Sequence, residues 1–158
     1  MGNVRLVELP PLPVVAFHAY GPSPEREAMA KMLAWAEQQG IRAGSAEHRV
    51  FGFDNPTPSP GSPNYGYEFW LVVEPEEIAN GAEEVVIAEL PGGCYAALRC
   101  EAAPDGSNIP GSWAQLARWL EESPYYYPPQ RPCLEEHLGP LTPAPQAFVL
   151  DLLLPVTE

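Results

Sequence analysis

Basic side chains are scarce in this 158-residue sequence. Eight Lys and Arg stand against 21 Asp and Glu, a formal charge of −13, and Lys31 is the sole lysine. A protein that grips nucleic acid needs a cationic footprint to displace counterions from phosphate, so direct nucleic-acid binding is not expected. An anionic membrane surface is disfavoured for the same reason. Cysteine is sparse too: Cys94, Cys100 and Cys133 lie far apart with no C-x-x-C pair. That argues against a disulfide framework or a zinc ribbon, and for small buried thiols. No run of about 18 apolar residues is present, nor a charged-then-apolar leader, so a soluble, cytoplasmic chain is expected. The P-loop, G-x-G-x-x-G and G-x-S-x-G signatures are missing. No cofactor is expected. His18, His48 and His137 match no ligand spacing, so no metal is expected either.

Proline is abundant: 21 residues, against a typical share of about 5%. It clusters at 10–13, 56–63, 124–132 and 140–145, which read as stiff loops between elements. Apolar alternation predicts strands near 4–9, 13–20, 48–53, 65–73, 84–90, 94–101, 132–138 and 146–154. A helix is predicted over 24–39, with Ser23 as N-cap, Pro24 at the first position and Gly40 as its stop. Its buried stripe reads Met29, Met32, Leu33 and Ala36. A second helix spans 110–122, with Trp113, Leu116, Ala117 and Leu120 at i, i+3, i+4 and i+7.

This order repeats. Strand, helix, strand, proline-rich loop and strand occur twice, with "VVAFHAYG" against "YAALRCEA" and "YEFWLVVE" against "LDLLLPVT", 81 and 83 residues apart. The chain therefore reads as one domain over 1–158, built of pseudo-repeats at about 1–80 and 81–158. The fold class is α+β: a duplicated strand-helix-strand-strand module, pseudo-two-fold, with an antiparallel sheet and a central cleft for a ligand. The repeat pairs Glu68 with Asp151 and Trp35 with Trp119, the two tryptophans reading as helix–sheet seam residues. Pro91-Gly92-Gly93 reads as the turn between modules.

One acid interrupts an otherwise apolar strand: in "YEFWLVV" Glu68 shares a face with Trp70, while Tyr67, Phe69 and Leu71 point the other way. Two readings fit. Either Glu68 reaches solvent at an edge, or it supplies charge inside aromatic walls, with Trp70, Tyr67 and Tyr65 as those walls. "SPYYYPP" places Tyr126 on a stiff loop that could form a lip. Trp113, just inside the second helix, could overhang the cleft.

The stretches "VVAFHAYGP", "FDNP", "ELPGGCYAALR" and "RPCLEEHLGP", in this order, resemble the GyrI-like family. That family comprises the DNA gyrase inhibitor and the effector-binding domains of multidrug-responsive transcription regulators. This chain resembles a stand-alone member, since it carries no helix-turn-helix. The resemblance implies an aromatic pocket with a buried glutamate, which the family's F-E-x-Y pattern places at Glu135; its aromatic is replaced here by His137. It implies a partner that is a small hydrophobic or cationic aromatic molecule. One alternative is a hydrolase that opens cyclopropane-bearing DNA alkylators. Glu135 would then be the base and His137 the acid, with activity falling above the histidine reference of ~6.5. A second alternative is a protein inhibitor of DNA gyrase, with gyrase or a transcription regulator as protein partner.

Overall fold

The computed structural model describes residues 3–78, 85–139, 141 and 147–158. Among them the chain is α+β, with strands β1 (Arg5–Leu9), β2 (Leu12–Gly21), β3 (Val50–Asp54), β4 (Tyr65–Val72), β5 (Val86–Leu90), β6 (Gly93–Ala102), β7 (Leu134–Leu138) and β8 (Phe148–Pro155). The helices are α1 (Pro24–Gln39) and α2 (Ile109–Glu122). Each follows a predicted element to within two residues at either end; Glu84, Gln146 and the prolines of 140–145 lie outside the described residues. No helix among the described residues is long and apolar enough to cross a membrane.

The helix ends follow from local chemistry, with one correction. Gly40 stops α1 in the left-handed conformation (φ 71°), its N–H turned back to Ala36 and Glu37 carbonyls. Ser23 makes no side-chain cap bond. Pro24 follows it and brings no N–H, so the first turn has one fewer unpaired donor. The buried line of α1 is Ala28, Met32 and Ala36, a strict i, i+4, i+8 row of mostly small residues, with Met29 and Leu33 half-buried beside it. On α2 Leu116 is fully buried, flanked by Trp113, Trp119 and Leu120. Ala117, placed in the stripe by spacing, is exposed, while Trp119 packs against the core.

The chain forms two compact units. The first is Leu12–Leu90; the second joins Met1–Pro11 to Pro91–Glu158. In the first the strand order is β3-β4-β2-β5, all neighbours antiparallel, with α1 packed on β2 and β4. In the second it is β1-β6-β8-β7, again antiparallel, with α2 on β6 and β8. The units therefore differ from sequence halves divided near residue 80: β1 pairs with β6, and β5 with β2. Pro11 and Gly92 approach so closely that a Cβ on Gly92 would lie 2.7 Å from the Pro11 ring.

Each unit has its own core. In the second, Leu98, Leu116, Leu150 and Leu152 are at most 1% exposed and pack together under α2. Burying each such leucine contributes about 2 kcal/mol. In the first, Val15, Phe69 and Leu71 on the α1 side are fully buried. The three cysteines are free thiols, Cys100 buried and Cys94 and Cys133 half-buried.

Candidate functional site

In the first unit the register settles which side chains share a face. Phe17 pairs with Phe69 and Ala19 with Tyr67, and Phe17 meets Trp35 of α1 at 5.7 Å. Tyr65 donates its hydroxyl to Glu25 of α1 at 2.6–2.7 Å. Tyr65, Tyr67 and Phe69 therefore occupy the α1 face of β4. Glu68 and Trp70 occupy the other, so Tyr65 and Tyr67 are not walls around Glu68: period-two alternation separates them. Trp70 is nearly buried, and its Nε1–H donates to Glu68 Oε2 at 2.7 Å. Asn55 Nδ2 donates to Oε1 at 3.1 Å, and the Asn55 carbonyl bonds His18 Nε2 at 2.6 Å. Phe53 meets Trp70 edge-on at 4.7 Å. The half-buried Glu68 is thus held by two neutral donors on an aromatic surface.

In the second unit the mirror position of β4 is taken by β8, and Asp151 stands where Glu68 does. His18 pairs with Glu68 across β2–β4, and Arg99 pairs with Asp151 across β6–β8. Asp151 is 7% exposed and takes Arg5 Nη2 at 2.6 Å and Arg99 Nε at 2.5 Å. The bond to Asp151 raises the Arg99 pKa, with a smaller contribution from the nearby Glu136 carboxylate. Sequence reasoning paired Asp151 with Glu68 but missed its guanidinium partners. A signal was available: Arg99 is a lone charge inside the apolar run "YAALRC".

The other face of β7 faces α2. Glu135 pairs with Leu152 and His137 with Leu150, both leucines of the core beneath α2. From the first turns of α2, Trp113 Nε1 donates to Glu135 Oε2 at 3.1 Å. Two predicted site residues from separate elements are thus brought together. Beside them, His137 stacks on Phe148 with centroids 6.3 Å apart and planes inclined by 6°. Although part of its surface reaches solvent, burial of the ring pulls the His137 pKa from 6.5 down to about 4. It is therefore a neutral ring near pH 7 and not an imidazolium. Cys133 lies two residues before Glu135, and burial raises its pKa above the usual thiol range. Tyr126 is 70% exposed; its backbone is fixed by paired bonds with Thr157 at 2.8 and 2.9 Å while the ring projects outward. His48 bonds Glu77 at 2.7 Å, so the three histidines have three separate sets of partners. Among the described residues no group of three His, Cys, Asp or Glu is placed to hold a metal.

Known proteins place this geometry in context. A family model described as integron-associated effector binding protein matches residues 5–156. A DNA gyrase inhibitor of Klebsiella pneumoniae (strain 342) is 26% identical over 139 residues, 87% of this chain and 86% of that protein. Among solved structures, the EcmrR C-terminal domain is similar with a TM-score of 0.71 and 13% identity, over 100% of this chain and 99% of that one. SAV2435 bound to tetraphenylphosphonium is similar with a TM-score of 0.58 and 12% identity, over 98% and 95%. At such identities the two structures speak to the fold alone.

Proposed function

The chain belongs to the integron-associated effector-binding proteins of the GyrI-like family, and on that premise we propose that it binds small hydrophobic organic molecules, cations preferred, against Glu135 and Trp113. The observation that carries this reading is the Trp113–Glu135 bond, which joins an acid and an indole on the apolar α2 face of β7. A carboxylate in apolar surroundings is costly to keep charged, and a bound cation relieves that cost. An indole face adds about 0.5–2 kcal/mol for a desolvated cation. The flat His137–Phe148 pair supplies a second, neutral wall for a planar ligand. Tyr126 is the outermost aromatic on offer. Micromolar affinity, about −8 kcal/mol, is within reach of stacking, burial and one charge contact.

Tetraphenylphosphonium, the ligand held by SAV2435, is the probe of choice, with triphenylphosphine oxide as a neutral analogue. In calorimetric titrations Glu135→Gln should weaken the cation by ~10-fold and the neutral analogue by less than about 2-fold. Equal losses for both would remove the electrostatic role of Glu135.

Burial that lowers the His137 pKa to about 4 keeps the ring neutral near pH 7, which supports binding over a ring opening assisted by an imidazolium. A multidrug-binding or detoxifying role would rest on sequestration. The Klebsiella relative favours a second reading, inhibition of DNA gyrase through the acidic surface. A supercoiling assay with purified gyrase tests it: undiminished supercoiling at excess protein would retire that reading.

A further inference from the structure

Corresponding acids in the two units have different company. Asp151 accepts two guanidinium groups, from Arg5 on β1 and Arg99 on β6. Glu68, at the equivalent register position, is bonded by the indole of Trp70 and the amide of Asn55, and among the described residues no Lys or Arg pairs with it. Where β6 provides Arg99, β2 provides His18, whose Nε2 is engaged with the Asn55 carbonyl. The approach to the carboxylate is open at its rim. His18 and Asn55 are exposed, Phe53 and Glu68 half-buried, and Phe53 stands edge-on to Trp70.

We propose that Glu68, with Trp70, Phe53, Asn55 and His18, forms a second binding site, for the guanidinium, amidinium or ammonium group of a small organic molecule. The cation takes the place that the Arg99 guanidinium takes beside Asp151. A half-buried carboxylate bonded by neutral donors alone keeps its charge uncompensated, and a cation is the partner that gains most there. Phe53 adds an aromatic surface beside that charge. The site lies on the face of β4 turned away from α1, and it depends on neither Glu135 nor Trp113. This site stands whether or not the Glu135 reading holds.

Benzamidinium, a planar aromatic amidinium, is the probe. It is titrated into the full chain while the Trp70 indole N–H is followed by NMR, for the wild type, Glu68→Gln, Glu135→Gln and His18→Arg. Read at the Trp70 signal, the site predicts a loss of ~10-fold in Glu68→Gln, one charge contact, and a transition that persists in Glu135→Gln, where only binding beside Trp113 is lost. His18→Arg fills the position with a tethered guanidinium and should weaken benzamidinium at least as much. The proposal is overturned if the Trp70 signal never moves, if Glu135→Gln abolishes binding, or if Glu68→Gln binds within 2-fold of wild type. Should Glu68→Gln prove too unstable to titrate, the His18→Arg comparison decides alone, and unchanged affinity there overturns the site.

Discussion

Gly52 and Glu135 hold the same place in their two units. Gly52 on β3 pairs with Phe69 of β4, and Glu135 on β7 pairs with Leu152 of β8, each on the face that its helix covers. In the first unit the Tyr67 phenol lies directly over Gly52, so that a Cβ there would overlap the ring. In the second unit Leu150 stands at the place of Tyr67, and a carboxylate reached by Trp113 occupies the strand beside it. One unit uses the position to pack an aromatic ring, and the other to present a charge. The site's asymmetry thus turns on which side chain fills one register position. We read the two units as copies of one ancestral module, since the strand partners correspond pair by pair: His18–Glu68 with Arg99–Asp151, and Phe53–Glu68 with Glu136–Asp151.

The comparison can be broken most sharply at Gly52. Gly52→Ala should cost about 3 kcal/mol in denaturant unfolding, because neither the fully paired β3 backbone nor the buried Tyr67 can yield easily. In a Tyr67→Ala background the same change should be nearly neutral; a small cost in both backgrounds would mean that the glycine is not there for the ring. His137 tests the second unit. Its folded pKa, about 4, lies below the unfolded reference of ~6.5, so the unfolded state binds more protons between those values. Stability is therefore full above ~6.5 and falls as the pH drops toward 4, by about 2 kcal/mol between pH 7 and 5. His137→Phe, which keeps the stack on Phe148, should flatten that segment of the stability–pH curve; an unchanged slope would place the titration elsewhere.

Two smaller effects sharpen the contrast between the acids. Asp151→Asn should cost about 1–2 kcal/mol, well below a fully buried pair, because Arg5 and Arg99 are themselves 42% and 52% exposed. Glu68→Gln should cost less than about 1 kcal/mol, since an amide oxygen still accepts from one of its two neutral donors. Equal costs would dissolve the distinction between an ion-paired and an unpaired acid. Smallest of all, His18→Arg should stabilise the protein by less than about 1 kcal/mol, read as a slight rise in Tm that salt removes.

Much of this architecture was legible because it is local. Strand ends sit at Pro and Gly, the α1 stop is Gly40, and the tight pattern around Leu116 locates the buried side of α2. Glu135 and Trp113 were each singled out, but their hydrogen bond depends on how α2 lies across β7, which no spacing encodes. Tyr65 and Tyr67 were grouped with Glu68 through nearness in sequence, although alternation alone sends them to the other face. The Arg5–Asp151 pair spans 146 positions and exists because β1 pairs with β6, a topological choice that strand patterns leave open. His137 was read at its reference pKa because burial is a property of the packed strand and not of the residue.

The close approach of Pro11 to Gly92 has an engineering meaning. The chain leaves the second unit at Pro11 and re-enters it at Pro91, side by side, so residues 12–90 form a nested insertion whose two stalks meet. Excision of that insertion, with a short splice from Pro11 to Pro91, would leave the β1–β6, β6–β8 and β8–β7 pairs in place. A cut at the midpoint of the sequence would instead orphan β1 and β5 at one stroke. The natural seam for fragment complementation or for grafting a foreign module is therefore this pair of stalks.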